Sequence, residues 1–372
     1  MKHAEMSSDE LLSKTIDYLR FPLIVGVVFI HNRMGSFTIQ GEEINYGEQW
    51  PWISYVIYFF SNVLTRVSVP LFFFISGFLF FYKINFNKDV YKRKIKKRCK
   101  TLLVPYLIWN FIGFLILLVQ MHPRFASFFP LLQNYRIDIT EFLSYFYGKD
   151  LPMDPPGDSA APIDYPLWFV RDLLLLVLAS PLIYWGIKKF KIIFIICLGL
   201  IWLFGLVDYI GLPYESNKSI FFFPLGAYFS INGLNFVELG KHMWWSPILF
   251  SLLAICDMLS FMGIIPSVNC FLGPISVIVG MTAFVYIASF LKWQGDTCKF
   301  LSNASFFVFA AHGLIISKYM KAIIMAVQPQ SSFVVLFIYF FVPISTILLC
   351  LGLFKILEKR APAVANLLTG GR

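Results

Sequence analysis

Charge is what this chain has least of. Only 14% of its 372 residues are Asp, Glu, Lys or Arg, against about 25% in an average soluble domain. No long polar block separates its apolar stretches, which excludes a string of soluble domains and a disordered chain. Cysteine is sparse as well. Cys99, Cys197, Cys256, Cys270, Cys298 and Cys350 are scattered without CxxC spacing, which points away from a disulfide framework and from a metal site. The sequence has no Walker-type loop, GxGxxG, HExxH or GxSxG; the usual soluble nucleotide-binding, zinc-protease and serine-hydrolase constellations are therefore excluded. No internal repeat is visible, which weakens an inverted-repeat transporter.

In place of these, 58% of the residues are hydrophobic, forty-two are Phe, and the mean hydropathy is +0.71. A bilayer crossing takes about 20 mostly apolar residues. Ten segments meet that description: 16–32, 53–82, 101–120, 167–186, 192–209, 219–232, 244–262, 268–290, 304–327 and 333–357. The sequence thus predicts an all-α integral membrane protein, a bundle of about ten transmembrane helices in a single domain over 1–372. Its longest loop is 122–165 and its tail is 358–372. The first apolar run has no small-residue cleavage site behind it and is expected to stay as a helix.

A net charge of +10 could signal nucleic acid, but the bases gather between apolar segments. Nine Lys or Arg against Asp89 alone lie between Lys83 and Lys100, which places that connection in the cytoplasm. Alternation then puts Lys2, Lys14, Lys188, Lys189, Lys191, Lys241, Lys292, Lys299, Lys355, Lys359 and Arg360 on the same side. Both termini are cytoplasmic in this arrangement, and Asp150, Asp154, Asp158 and Asp164 lie outside. The expected setting is a cell inner membrane, crossed many times, with membrane lipids as partners and no nucleic acid.

Polar residues inside apolar segments are costly, about 2.5–3.5 kcal/mol for Arg at a helix centre, so each needs a reason. In the first segment Arg20 and His31 are eleven positions apart, about three helical turns and a rise of roughly 16 Å, and so share a face. The expected topology puts Arg20 toward the cytoplasm and His31 toward the outside. In the second, Asn62, Arg66, Val69, Phe73 and Ser76 follow steps of three and four. Their face is expected to point inward, with Arg66 seeking a carboxylate, phosphate or water. Ser76-Gly77 also suits close helix approach. In the fourth, Trp168, Arg171 and Asp172 begin just inside the outer surface. Neighbouring positions point about 100° apart, so Arg171 and Asp172 are expected to meet different helices. His312 lies mid-segment in the ninth. The run Lys92–Arg98 suits anionic headgroups or a polyanionic cytosolic ligand.

Together these residues resemble the acyltransferase 3 family of integral membrane acyltransferases. The marks are Arg20 followed by ten residues and His31, then Pro70-Leu-Phe-Phe-Phe-Ile-Ser-Gly-Phe78. Lys97-Arg98 leads to Pro105-Tyr106, and Leu167-Trp168-Phe169 and a late His312 follow. The resemblance covers nearly the whole chain. One departure is Phe21-Pro22 after the arginine, where relatives commonly have a small residue. Pro22 is expected either to distort the first turn or to mark the start of the membrane helix.

The resemblance implies transfer of an acyl group, commonly acetyl, from cytosolic acetyl-CoA or another acyl-CoA to a hydroxyl of a surface carbohydrate or glycolipid, with no metal. Arg20 and Arg98 would contact the donor, whose arm would run along the first helix to a catalytic His31. Arg66, Ser76, Trp168, Arg171 and His312 are the candidates for holding the acceptor or the oxyanion. The rival reading is a transporter of a sugar, lipid or proton, with His31 and Arg66 as a relay.

Overall fold

The computed structural model describes residues 7–371 apart from 33, 35, 40–41, 126–127, 130–131, 133, 139–141, 149–160, 207–215, 267–268 and 292–294. The loop residues Asp150, Asp154 and Asp158, and the bases Lys2 and Lys292, therefore lie outside the described residues, as does the side chain of Cys270. Eleven principal helices follow one another: α1 Ser8–Ile30, α2 Pro51–Phe81, α3 Lys88–Gln120, α4 Trp168–Leu178, α5 Ser180–Phe190 and α6 Ile192–Leu203. The others are α7 Ser216–Ile231, α8 Ser246–Phe261, α9 Asn269–Phe290, α10 Asp296–Val327 and α11 Ser332–Arg360.

Each of the ten expected segments overlaps a helix. Among the described residues five helices are long and apolar enough to cross a membrane: α2, α3, α9 (over Leu272–Phe290), α10 and α11. The bent pair ending in α4 and α5 makes a possible sixth, and α6 and α8 are shorter apolar helices. The polar stretch after α1 adds one feature that the sequence did not suggest, a two-stranded antiparallel hairpin of Ser36–Ile39 and Glu42–Asn45. Within the expected loop 122–165 the short helix Ser144–Tyr147 forms.

Several boundaries differ from expectation for identifiable reasons. Helix α1 starts at Ser8, whose preceding Ser7 accepts from the Glu10 N–H, and it runs through Pro22 without interruption. Pro22 neither starts the helix nor ends it. A missing backbone bond inside a membrane helix is tolerated when neighbouring helices support it. The fourth segment is not one straight crossing but bends by 61° between Leu178 and Ser180. Pro181 cannot donate to the preceding turn and sits instead in the first turn of α5, where proline is tolerated. The basic run is not a loop: Lys88–Arg98 is the first part of α3, opened by an Asn87 cap.

Helix α2 carries the largest irregularity, a π turn at Phe59–Leu64 followed by a 3₁₀ turn at Thr65–Val67. These turns change the residues per turn and rotate the face that a regular period predicts. Asn62 is exposed, while Ser61, Thr65 and Ser68 are buried. Of the expected inward face, Phe73 is buried and Arg66, Val69 and Ser76 are partly so, while Asn62 turns outward and Ser61, Thr65 and Ser68 supply the buried polar groups.

The chain forms two compact units. The first comprises 1–83 and 222–352, the second 84–221 and 353–372. In the first, α1 packs along α10, α2 and α9, and α8 pairs with α9. Tyr82 O–H donates to Asp9 at 2.7 Å, and Lys83 also pairs with Asp9. The Lys83 hydrogen bond, then that of Tyr82, holds the Asp9 carboxyl below its usual range. This tie is present above the ordinary carboxylate pKa and is lost as pH falls through the lowered one. Two glycines bring α2 and α7 together. A Cβ on Gly77 would overlap the Phe223 carbonyl, and one on Gly226 would overlap that of Phe74.

In the second unit Leu117, Leu132 and Tyr145 form a buried cluster between α3 and the loop that follows it. The terminal helix Pro362–Thr369 returns to α3, where the Trp109 indole donates to the Leu368 carbonyl at 3.0 Å.

Overpacking costs about 1–3 kcal/mol where backbone has to move. Gly226→Ala should therefore lower the thermal unfolding midpoint of the protein in detergent. Gly352→Ala, where a Cβ meets nothing within 4 Å, should leave it unchanged or raised, because alanine suits a helix interior better than glycine.

Candidate functional site

The polar groups of α1 and α10 meet at two levels. Toward the start of α1, Arg20 Nη1 donates to Asp17 Oδ1 at 2.8 Å and to Ser302 Oγ at 3.3 Å. Ser302 in turn donates to the same Asp17 oxygen at 3.2 Å. Eleven residues on, His31 caps the helix, and its ring lies 5.3 Å, centroid to centroid, from that of His312. Residues 20 and 31 thus face 302 and 312 in the same order, so α1 and α10 run parallel. Between the two levels Ile24, Val27 and Val28 are buried. The line from Arg20 to His31 is packed side chain.

His312 is fully buried. Its Nδ1 lies 3.1 Å from the Val308 carbonyl one turn earlier, while Nε2 has no hydrogen-bond partner among the described residues. At the end of α1, Ser61 Oγ donates to the Phe29 carbonyl at 2.8 Å and contacts the Tyr339 hydroxyl at 2.7 Å. Asn32 Nδ2 donates to the Tyr339 carbonyl at 2.7 Å, and its Oδ1 is buried without a partner among the described residues. The rings of Phe60, Tyr339 and Phe340 surround Phe29 at 6.0–6.4 Å. Helices α2 and α11 thus meet the end of α1 at Phe29 and Asn32, and α10 meets it at His31.

Other candidates are committed elsewhere. Arg66 finds the carboxylate that the sequence required: Nη2 is 2.5 Å from Asp257 Oδ2, and Nε donates to the Asn62 carbonyl. Tyr58 O–H donates to Asp257 Oδ1 at 3.0 Å. Arg171 and Asp172 do pair with one another, through Nε and Nη2 at 3.0 Å from Oδ1. The 100° between neighbouring positions separates Cβ directions, and the long arginine side chain folds back across that gap. Ser216 and Ser219 donate to Asp172 Oδ2, and Arg171 Nη1 donates to the Tyr147 carbonyl at 2.8 Å.

Ser76 is half-buried beside the close approach at Gly77. Trp168 is buried at the start of α4, and Arg98 is half-buried on α3. Arg98, Trp168 and Arg171 belong to the second unit, whereas Arg20, His31, Arg66, Ser76 and His312 belong to the first.

Sequence reasoning missed Asp257, Asp17 and the group Ser61, Asn32 and Tyr339. Two of these left a signal. Asp257 is a lone acid in an apolar segment, and Asp17 stands three residues before Arg20, the spacing of a helical ion pair. Tyr339 left none. Among the described residues no cluster of three His, Cys, Asp or Glu side chains could hold a metal.

The acyltransferase-domain family model matches residues 13–354. The succinoglycan biosynthesis protein ExoH of Rhizobium meliloti (strain 1021) is 27% identical over 264 residues, 68% of this chain and 62% of the relative. The chain thus aligns with less than two thirds of that relative's length. No solved structure matches. The family match runs through α1, α2 and α10 with Arg20, His31 and His312 inside it, and the chain belongs to the acyltransferase 3 family of membrane enzymes.

Proposed function

We propose that this protein moves an acyl group, acetyl by preference, from cytosolic acyl-CoA to a hydroxyl of a surface polysaccharide or lipid-linked glycan. The observation that carries the reading is the α1–α10 seam, with an arginine at one level and a histidine pair at the other. The relative is named for the biosynthesis of a polysaccharide, succinoglycan, which favours a carbohydrate acceptor. A single family match running across both compact units favours one functional domain. Ten crossings of a cell inner membrane, with both termini cytoplasmic, suit the parallel course of α1 and α10.

His31 is the general base in this mechanism. A ring nitrogen takes the proton of the acceptor hydroxyl while the hydroxyl oxygen attacks the thioester carbon. The tetrahedral adduct then expels coenzyme A as its C–S bond breaks, and the histidine proton passes to the thiolate. The products are an ester and free coenzyme A. Histidine suits this, since its ordinary pKa of about 6.5 leaves it able to accept a proton near neutrality.

Arg20 holds donor phosphate. Its described contacts use Nη1 alone, which leaves Nε and Nη2 for the paired hydrogen bonds that guanidinium makes to phosphate. The donor's arm reaches His31 beside the packed seam and not through it. The basic run Lys92–Arg98 draws in the polyanionic donor by its field. Arg66 and Arg171 are neutralised by Asp257 and Asp172, which favours scaffold roles for both.

The test is purified full-length protein in detergent with radiolabelled acetyl-CoA and alkali-treated succinoglycan, whose hydroxyls are free. Label in the polysaccharide is expected. Movement of a sugar or lipid across vesicles without any labelling would overturn the reading in favour of transport. His31→Ala should lower the rate by about 10²–10⁴-fold, the usual contribution of a positioned base, with an unchanged unfolding midpoint. Arg20→Ala should raise KM for acetyl-CoA by about 10–100-fold, since hydrogen bonds to charged groups are worth about 1.5–3 kcal/mol. An unchanged KM would remove Arg20 from the donor site.

A further inference from the structure

We propose that His312 is the positioning residue of His31, holding one ring N–H of His31 on its own Nε2 so that the other nitrogen of His31 faces the acceptor hydroxyl as a bare base. The inference rests on the acyltransferase reading and assigns to one nitrogen a role that the family match does not.

The tautomer follows from the hydrogen bond. A backbone carbonyl only accepts, so Nδ1 of His312, 3.1 Å from the Val308 oxygen, carries the hydrogen. In a neutral imidazole the other nitrogen is then a lone-pair acceptor. That acceptor, Nε2, is buried in a side chain with no exposed surface and has no donor among the described residues. Leaving a buried acceptor unpaired costs about 1–3 kcal/mol, and such atoms in native structures call for an explanation. A hydroxyl can rotate to find a carbonyl on its own helix. His312 has no such freedom, because turning the ring would break the Val308 bond.

The neighbouring ring able to supply an N–H is that of His31, at 5.3 Å between centroids. At this spacing a rotation of the His31 ring can bring one of its nitrogens within hydrogen-bond reach of Nε2. Two features keep the geometry fixed. His312 is anchored to its own helix, and His31 sits at the cap of α1, whose body is packed against the same α10. This is the logic of a base oriented by a third group, with a neutral ring in the place usually taken by a carboxylate. A neutral partner suits a buried membrane site, where an unpaired carboxylate would be expensive. It holds the tautomer of His31 and strengthens the base when a proton arrives, without adding charge.

The test separates this role from simple packing through three variants of the full-length protein. Gln can place an amide oxygen near the position of Nε2, Asn replaces only the Nδ1 side, and Leu fills the space. Acetyl-CoA and alkali-treated succinoglycan are the probes, and kcat, KM for acetyl-CoA and the unfolding midpoint are read for each.

His312→Leu should lower kcat by about 10–100-fold, the usual effect of removing an outer partner, with KM changed by less than about threefold. His312→Gln should recover most of that loss, and His312→Asn should do no better than Leu. Should Asn outperform Gln, the bond to Val308 is the whole function of His312 and the inference falls. It falls too if Leu retains wild-type kcat while His31→Ala is inactive. If the unsubstituted protein labels no acceptor, the acyltransferase reading itself fails, and this inference with it.

Discussion

The parallel seam between α1 and α10 is the contact on which the rest of the site depends. In lipid there is little hydrophobic drive to bring helices together, so close packing and a few polar contacts must do it. Here the polar contacts stand at the two ends of the seam: Asp17, Arg20 and Ser302 at one, His31 and His312 at the other. Packed apolar side chains such as Val28 and Val308 fill the interval. The spacing between Arg20 and His31 is therefore set by helix geometry and not by a loop. Catalysis gains from such fixed spacing because small displacements of a base are costly.

Charge inside the helices is handled in a uniform way. Arg66 is matched with Asp257, and Arg171 with Asp172, each pair joined by further donors or acceptors. Breaking such a pair by removing one partner is far more damaging than never having had it, since the remaining charge is left buried. These pairs lock helices to one another: α2 to α8 in the first unit, and α4 to α7 in the second. Neutralisation also sets them apart chemically from the surroundings of His31. There the buried atoms without a partner among the described residues are neutral acceptors, Nε2 of His312 and Oδ1 of Asn32.

Much of this was legible in the sequence, and the exceptions have physical causes. Apolar length marked the helices, and the spacing of Arg20 and His31 gave their shared face, because both depend on local periodicity. Periodicity failed at Asn62 in α2, where the π and 3₁₀ turns bury Ser61, Thr65 and Ser68 instead. It failed again at Arg171, where side-chain length outweighed backbone direction. Pro22 looked like a boundary because proline usually is one, and only the surrounding helices let α1 pass through it. The contacts of Ser61 and Asn32 with Tyr339 could not be read in advance. They join residues about 280 to 310 positions apart, and nothing local marks them.

The direction of the seam also bears on how the chain crosses the bilayer. Helix α1 is not among the helices long and apolar enough to cross by themselves, but if it crosses alongside α10 the two parallel crossings require an odd number between them. Between α1 and α10 lie three helices that are long and apolar enough to cross by themselves, α2, α3 and α9, and three is odd. Counting the bent α4–α5 pair makes four, which would turn α10 around, so that pair can cross only if another helix does too. Adding α6, α7 and α8 gives seven and restores the parity. With α11 the count becomes the ten crossings expected from the apolar segments, an arrangement whose parity allows His31 to stand beside His312.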